Sequence, residues 1–302
     1  MSQPYALKTI RTDTLEIAYE ENGPAKGQPV ILLHGFPDDP RSWDDVINPL
    51  TGIGCRTIVP YLRGFGPTRF LRADSFRSGQ QAALAHDLNG LIDGLNLPLP
   101  ILAGFDWGAR AACTAAALWP AKVGGLVSIG GYNIEDVTID RKPASARQEY
   151  KGWYQWYFQT ERGKAGFDHN RREICRLLWE LWSPNWQFTD AVFNETARSF
   201  DNPDFVEIVI HSYRHRYGVV PGDPSLEAIE RGLVGQPQIN VPTIVLHGES
   251  DGVHPPELSE GQEELFSSYY ARRAIPLAGH LFPREAPEAV VWAVVELFQK
   301  RL

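Results

Sequence analysis

Cysteine is scarce in this chain: Cys55, Cys113 and Cys175 are an odd number with no CxxC or metal-ligand spacing. That excludes a disulfide framework and leaves buried free thiols in a reducing compartment as the expectation. No stretch approaches ~18 consecutive apolar residues, so a membrane span is not expected. Met1 to Glu20 alternates polar and apolar residues and lacks the apolar core and small-residue cleavage site of a signal peptide, which makes the cytoplasm the expected location. No basic block interrupts the formal net charge of −8, so a nucleic-acid partner has no electrostatic footprint. Internal repeats and low-complexity tracts are missing as well. What remains, at 302 residues with 43% hydrophobic and 22% charged, is a globular chain large enough to bury a sizeable core.

Short apolar runs punctuate this chain. Thr14 to Glu21, Val30 to Leu33, Cys55 to Leu62, Val123 to Ile129, Val241 to Leu246 and Ala271 to Leu277 read as strands, most of them bounded by glycine-containing loops. Helical spacing of leucines from Ser78 to Leu95, the Ala-rich segment from Ala109 to Trp119 and the amphipathic segment from Glu288 to Leu302 alternate with them. Such alternation predicts an α/β fold, a mostly parallel central sheet flanked by helices, with ligands at the carboxyl ends of the strands. The texture changes between residues 133 and 236, which lack long strand runs and carry Trp153, Trp156, Trp179, Trp182 and Trp186. We therefore expect a core over 1–132 and 237–302, with 133–236 inserted as a helical lid.

The stretch Gly104-Phe105-Asp106-Trp107-Gly108 follows one strand and opens one helix. Small residues two places either side of the apex suit a sharp strand-to-helix turn that exposes a nucleophile. A carboxylate at that apex attacks an sp³ carbon and leaves an alkyl ester for water to cleave, whereas serine would make an acyl-enzyme. The apex at position 106 is Asp and not Ser, which argues against a serine esterase. Asp251 and His280 each follow a later strand, and the order Asp106, Asp251, His280 matches the nucleophile, acid and histidine of α/β-hydrolases. His280 would take a proton from water, Asp251 would stabilise the imidazolium, and the backbone N–H groups of Phe36 and Trp107 would hold the oxyanion. Phe36 lies in His34-Gly35-Phe36-Pro37, where the X-Pro bond is a candidate for the cis form and His34 and Pro37 are expected to line the substrate site.

The HGFP loop, Arg63-Gly64-Phe65-Gly66, the Asp-Trp-Gly elbow and the late Asp and His together resemble epoxide hydrolases of the soluble type and their dehalogenase relatives, over essentially the whole chain. That resemblance implies an epoxide opened to a diol, with Tyr154 and Tyr213 as the acids that hold the ring oxygen; Tyr157 is the rival of Tyr154. Trp156 and Tyr157 are expected at the substrate site. The dehalogenase alternative would use Trp107 and Trp156 as indole donors to a halide. Against it, the commonest haloalkane dehalogenase pattern has Asn where this chain has Phe36, and fluoroacetate dehalogenases have Arg at the position of Trp107. Arg110 matches the second arginine of the fluoroacetate pattern and is a candidate to hold a substrate carboxylate. The resemblance implies neither metal nor organic cofactor, with a small molecule and water as the reactants. Oligomeric state stays open, a homodimer included. A non-catalytic small-molecule receptor on the same fold is the reading from another class, and the complete triad argues against it.

Overall fold

The computed structural model describes residues 6–138 and 143–300. Nine strands form one sheet: β1 Leu7–Arg11, β2 Leu15–Asn22, β3 Gln28–Leu33, β4 Cys55–Pro60, β5 Arg69–Phe70, β6 Ile101–Phe105, β7 Gly125–Ile129, β8 Thr243–Gly248 and β9 Tyr270–Ile275. Their order is β1-β2-β4-β3-β6-β7-β8-β9, with β5 on β2. The pairs from β4 through β9 are parallel, and β2 pairs antiparallel with β1, β4 and β5. Every residue of β6, β7 and β8 is buried, as their unbroken apolar runs require of strands covered on both faces. By contrast β1 is mostly exposed and its sequence, Leu-Lys-Thr-Ile-Arg, gives no such run, which is why it escapes a periodicity reading.

Helices α1 Asp44–Gly52, α2 Gln81–Gly94 and α3 Trp107–Leu118 belong to the first half of the core. Between β7 and β8 come α4 Ala146–Lys151, α5 Trp153–Tyr157, α6 Glu161–Trp182, α7 Asp190–Thr196, α8 Phe205–Arg216 and α9 Glu227–Arg231, followed after β9 by α10 Phe282–Glu285 and α11 Pro287–Gln299. The Leu302 end expected for the last helix, like Met1 to Tyr5 of the amino-terminal reading, lies outside the described residues. Helix α3 packs with α2 on one side of the sheet, and α1 packs with α11 on the other. The alanines of α3 let it lie directly on β3, β6 and β7, and ten of its twelve residues are buried. The three cysteines are buried free thiols. Among the described residues no helix is long and apolar enough to cross a membrane.

The inserted helices are fastened over the loop that follows β3. Trp179 of α6 donates its indole N–H to the Pro37 carbonyl at 2.8 Å. Arg284 of α10 gives two hydrogen bonds to Asp38 and one to Thr196. Asp39 accepts from the hydroxyls of Thr196 and Ser199. Buried charges survive only when paired and hydrogen-bonded in this way, so the knot fixes the insertion, the β3 loop and α10 to one another.

The turn from β6 into α3 depends on its flanking glycines. A Cβ on Gly108 would meet the Leu33 carbonyl oxygen at 2.1 Å, and one on Gly104 would meet the Gly108 backbone at 2.5 Å. Both contacts are with backbone, which cannot rotate away. Gly108→Ala should therefore cost at least about 2 kcal/mol in urea denaturation, as overpacking does. Gly52→Ala, in a helix end with nothing within 4 Å, should be neutral or stabilising by up to about 1 kcal/mol. Equal effects at the two positions would refute this account of the turn.

Candidate active site

Asp106 stands at the tip of the β6–α3 turn with φ 49° and ψ −119°, a left-handed conformation that non-glycine residues rarely adopt. The turn aims a carboxylate away from the sheet at the amino end of α3, where the helix dipole favours negative charge. One oxygen, Oδ1, accepts the Phe36 backbone N–H at 2.8 Å. Helix geometry leaves the N–H of Trp107, the first residue of α3, without an intrahelical acceptor. The Phe36-Pro37 peptide is cis.

The other oxygen, Oδ2, faces His280 Nε2 at 3.8 Å, an ion-pair rather than a hydrogen-bond distance. His280 Nδ1 lies 2.8 Å from Asp251 Oδ2, so Nδ1 carries the proton that Asp251 accepts and Nε2 is turned to Asp106. Asp251 is itself held by the turn after β8, its Oδ1 accepting the N–H groups of Val253 and His254. All three triad side chains are buried. Loops after two different strands meet because the Trp182 carbonyl, at the end of α6, accepts backbone N–H groups from both Gly252 and His280.

Burial would raise the Asp106 carboxyl and lower the His280 imidazole; their mutual attraction overcomes both effects. Asp106, helped also by Arg110, is held down at about 2, and His280, between the Asp251 and Asp106 carboxylates, is pushed up to about 10. Asp251 is likewise held below the ordinary carboxylate value, burial being outweighed by His280.

Two phenols close the site from above. Tyr154 of α5 and Tyr213 of α8 are buried, with ring centroids 5.2 Å apart. Tyr213 lies 5.8 Å from the Phe36 ring, and Tyr154 lies 5.2 Å from the Trp182 indole, which in turn sits 4.9 Å from the His280 ring. Burial pushes both phenols above their ordinary value, and the Asp106 charge adds to this.

Other expected residues are placed elsewhere. Trp156 is 43% exposed on the outer side, its N–H on Glu149 and its ring against Tyr217; on a five-residue helix that buries Tyr154, the residue two places on points away. Tyr157 packs on Trp153 and Phe158, with its hydroxyl end against Gly166 of α6. His34 has both ring nitrogens engaged by backbone, Nδ1 with the Gly35 carbonyl and Nε2 with the Leu62 N–H, and burial lowers it to about 4. It braces the loop instead of facing a substrate. Pro37 is buried, with its carbonyl spent on Trp179. Arg110 meets a carboxylate of this chain: Glu135 bonds it at 2.5 Å and also receives Arg216 at 3.2 Å.

Glu135, Arg216, Trp182, Gln155 and His254 had no motif to announce them. His254 lies 5.4 Å from the His280 ring and is lowered to about 4 by burial. Among the described residues, Asp251, His254 and His280 are the group close enough to hold a metal ion, with ligand atoms within 4.8 Å of one another. Two of those three already satisfy each other.

The α/β-hydrolase fold family matches residues 28–287. The chain belongs to it. This α/β-hydrolase is similar, with TM-score 0.94 and 46% identity over 98% of this chain and 97% of the other, to the crystal structure of a candidate epoxide hydrolase from Klebsiella pneumoniae. It is 28% identical over 276 residues to an epoxide hydrolase of Caballeronia sordidicola, covering 81% of this chain and 78% of that protein. Epoxide hydrolase B of Mycobacterium tuberculosis is 29% identical over 175 residues, 54% of this chain, and the matched segment spans about half the length of that relative.

The electrostatics have a measurable sign. His280 has a folded value above its ordinary 6.5, so its contribution to stability is complete below about pH 6.5 and is lost as pH rises through about 10. Asp106 has a depressed value, so its contribution is present above 3.8 and is lost as pH falls toward about 2. In Asp251→Asn the His280 resonance should titrate at least about one unit lower by NMR. The stability gap to the unsubstituted protein should narrow as pH rises through about 10. An unmoved His280 midpoint would contradict the assigned pairing.

Proposed function

We propose that this α/β-hydrolase opens epoxides to vicinal diols through an ester on Asp106. One observation carries the reading: a buried carboxylate with an imidazole on one side has two buried phenols packed above its backbone cradle. The names of the Klebsiella, Caballeronia and mycobacterial relatives point the same way. Opening an epoxide makes an alkoxide, a poor leaving group that needs a proton donor close to the ring oxygen, and phenols can give one where carboxylic acids are already ionised.

In the first step Asp106 Oδ attacks a ring carbon, that C–O bond breaks, and a tyrosine hydroxyl protonates the departing oxygen. Phe36 N–H fixes the attacking group before reaction, so little reorganisation is required. Esterification then removes the negative charge that His280 faced. With Asp106 neutral, one of the two carboxylates that raise the imidazole is gone, so His280 gives its proton to the phenolate left by ring opening and is then able to take one from water. Water attacks the ester carbonyl, the oxyanion forms against the Phe36 and Trp107 N–H groups, and the diol leaves. The device orders the steps: the base is switched on by the product of alkylation.

A second reading rests on Trp107 and Trp182, whose indole N–H groups are buried without a hydrogen-bond partner. Two such donors suit a halide leaving group, with Trp182 in the place expected for Trp156. The three buried free thiols favour a reducing compartment, and the cytoplasm is the proposed location.

A single turnover in ¹⁸O water should place label in the Asp106 carboxylate, read by peptide mass spectrometry; label confined to the product would sink the ester mechanism. His280→Gln should slow hydrolysis by on the order of 10²–10⁴-fold while alkylation persists, so an adduct on the Asp106 peptide accumulates. The Tyr154→Phe/Tyr213→Phe double variant should lose epoxide opening by a similar order and leave any halide release nearly unchanged. Full epoxide turnover in that variant would remove the tyrosines from the reaction.

A further inference from the structure

The mechanism above needs one phenol to surrender its proton, and two are present. Around Tyr154 the hydrogen bonds are unequal. Gln155 is 92% buried by virtue of 8% exposure, and its Nε2 amide donates to the Tyr154 hydroxyl oxygen at 2.9 Å. Its Oε1 accepts the Tyr217 hydroxyl at 2.7 Å, the orientation in which Nε2 is turned to Tyr154. Tyr217 lies just beyond α8, with its ring 4.6 Å from the Trp156 indole. The Tyr213 ring stands edge-on to that of Tyr154, with centroids 5.2 Å apart.

We infer that Gln155, held by Tyr217, is a positioning residue that makes Tyr154 the proton donor in ring opening. This rests on the epoxide reading of the site. With the Gln155 N–H directed at the Tyr154 oxygen, a lone pair there is occupied and the phenol's own hydrogen is left for the substrate oxygen. The same donor stabilises the phenolate that follows. The buried Arg216 guanidinium lies 5.0 Å over the Tyr213 ring, and its charge favours a negative oxygen on Tyr154 against the opposing charge of Asp106.

The protons balance. As Asp106 Oδ bonds to carbon and the ring C–O bond breaks, Tyr154 passes its hydrogen to the ring oxygen and becomes phenolate. The His280 imidazolium, no longer facing a charged Asp106, returns a proton to the Tyr154 phenolate and is left neutral. Water then adds to the ester, giving one proton to His280, which hands it to the departing alkyl oxygen. The second water hydrogen, released as Asp106 returns to carboxylate, restores the imidazolium. Epoxide plus water gives diol with nothing left over.

The polarity can be read without substrate. The protein carries 11 tyrosines, and in enzyme labelled with 3-fluorotyrosine the Tyr154 signal is the one lost in Tyr154→Phe. In a ¹⁹F titration, Gln155→Leu should raise the Tyr154 midpoint by about one pH unit, equivalent to a tenfold loss of acidity. Tyr217→Phe, which deletes one half-buried hydroxyl, should shift it the same way by less, and serves should Gln155→Leu fail to fold. With styrene oxide in single turnover, Gln155→Leu should slow alkylation about tenfold with ester hydrolysis unchanged, and the Gln155→Leu/Tyr217→Phe double variant should be no slower than Gln155→Leu alone. An unmoved or lowered midpoint, or additive losses in the double variant, would overturn the assignment. A raised midpoint in a protein that opens no epoxide would uphold the relay and refute the epoxide reading instead.

Discussion

Everything in this molecule is arranged around keeping a carboxylate ionised where water is largely excluded. Asp106 is nine-tenths buried, and an isolated carboxylate in such surroundings would take up a proton and cease to be a nucleophile. Three things keep it charged: the Phe36 N–H, the His280 imidazolium and the Arg110 guanidinium. Each of these is in turn held by something else. His280 needs Asp251, Asp251 needs the N–H groups of its own turn, and Arg110 is tied to Glu135, which also takes Arg216 from the inserted helices. The strained backbone at Asp106 is the cost of placing this charge at the carboxyl end of a central strand, and close packing of α3 on the strands offsets it.

How much of this was legible in the sequence follows from how local each signal is. The elbow was legible because glycines two residues either side of an aspartate form a local pattern, even though the backbone that Gly108 must clear, at Leu33, belongs to another strand. Asp251 and His280 were legible because each follows a strand whose apolar run is unmistakable, and the parallel sheet brings strand ends together. The central strands appear within a few residues of where periodicity placed them, whereas β1 and the two-residue β5 carry no apolar run at all.

Other parts depend on distant pairings that no local pattern records. Nothing around Glu135 says that it will bridge Arg110 and Arg216, since the three come from separate elements. The position of Trp156 failed for a related reason: in a helix of five residues, phase alone decides which aromatic is buried, and the sequence Trp-Tyr-Gln-Trp-Tyr offers several phases. His34 was misjudged because a histidine in a catalytic-looking loop has the same letter whether its nitrogens serve substrate or backbone. Gln155 was hidden beside the tyrosine that drew attention, and its significance lies in Tyr217, four residues beyond Tyr213 at the end of α8.

The Trp182 carbonyl bears on how the molecule can breathe. Because it accepts N–H groups from both the acid loop and the histidine loop, the end of α6 is stitched to the catalytic apparatus itself. A hinged swing of the inserted helices at that end would break both bonds, at about 0.5–1.5 kcal/mol each, and pull Asp251 and His280 out of register together. Traffic in and out therefore has to be routed through side-chain rotation or through parts of the insertion that this carbonyl does not hold. Evolution of a new entrance can proceed there without disturbing the chemistry, while exchange of α6 for another helix cannot.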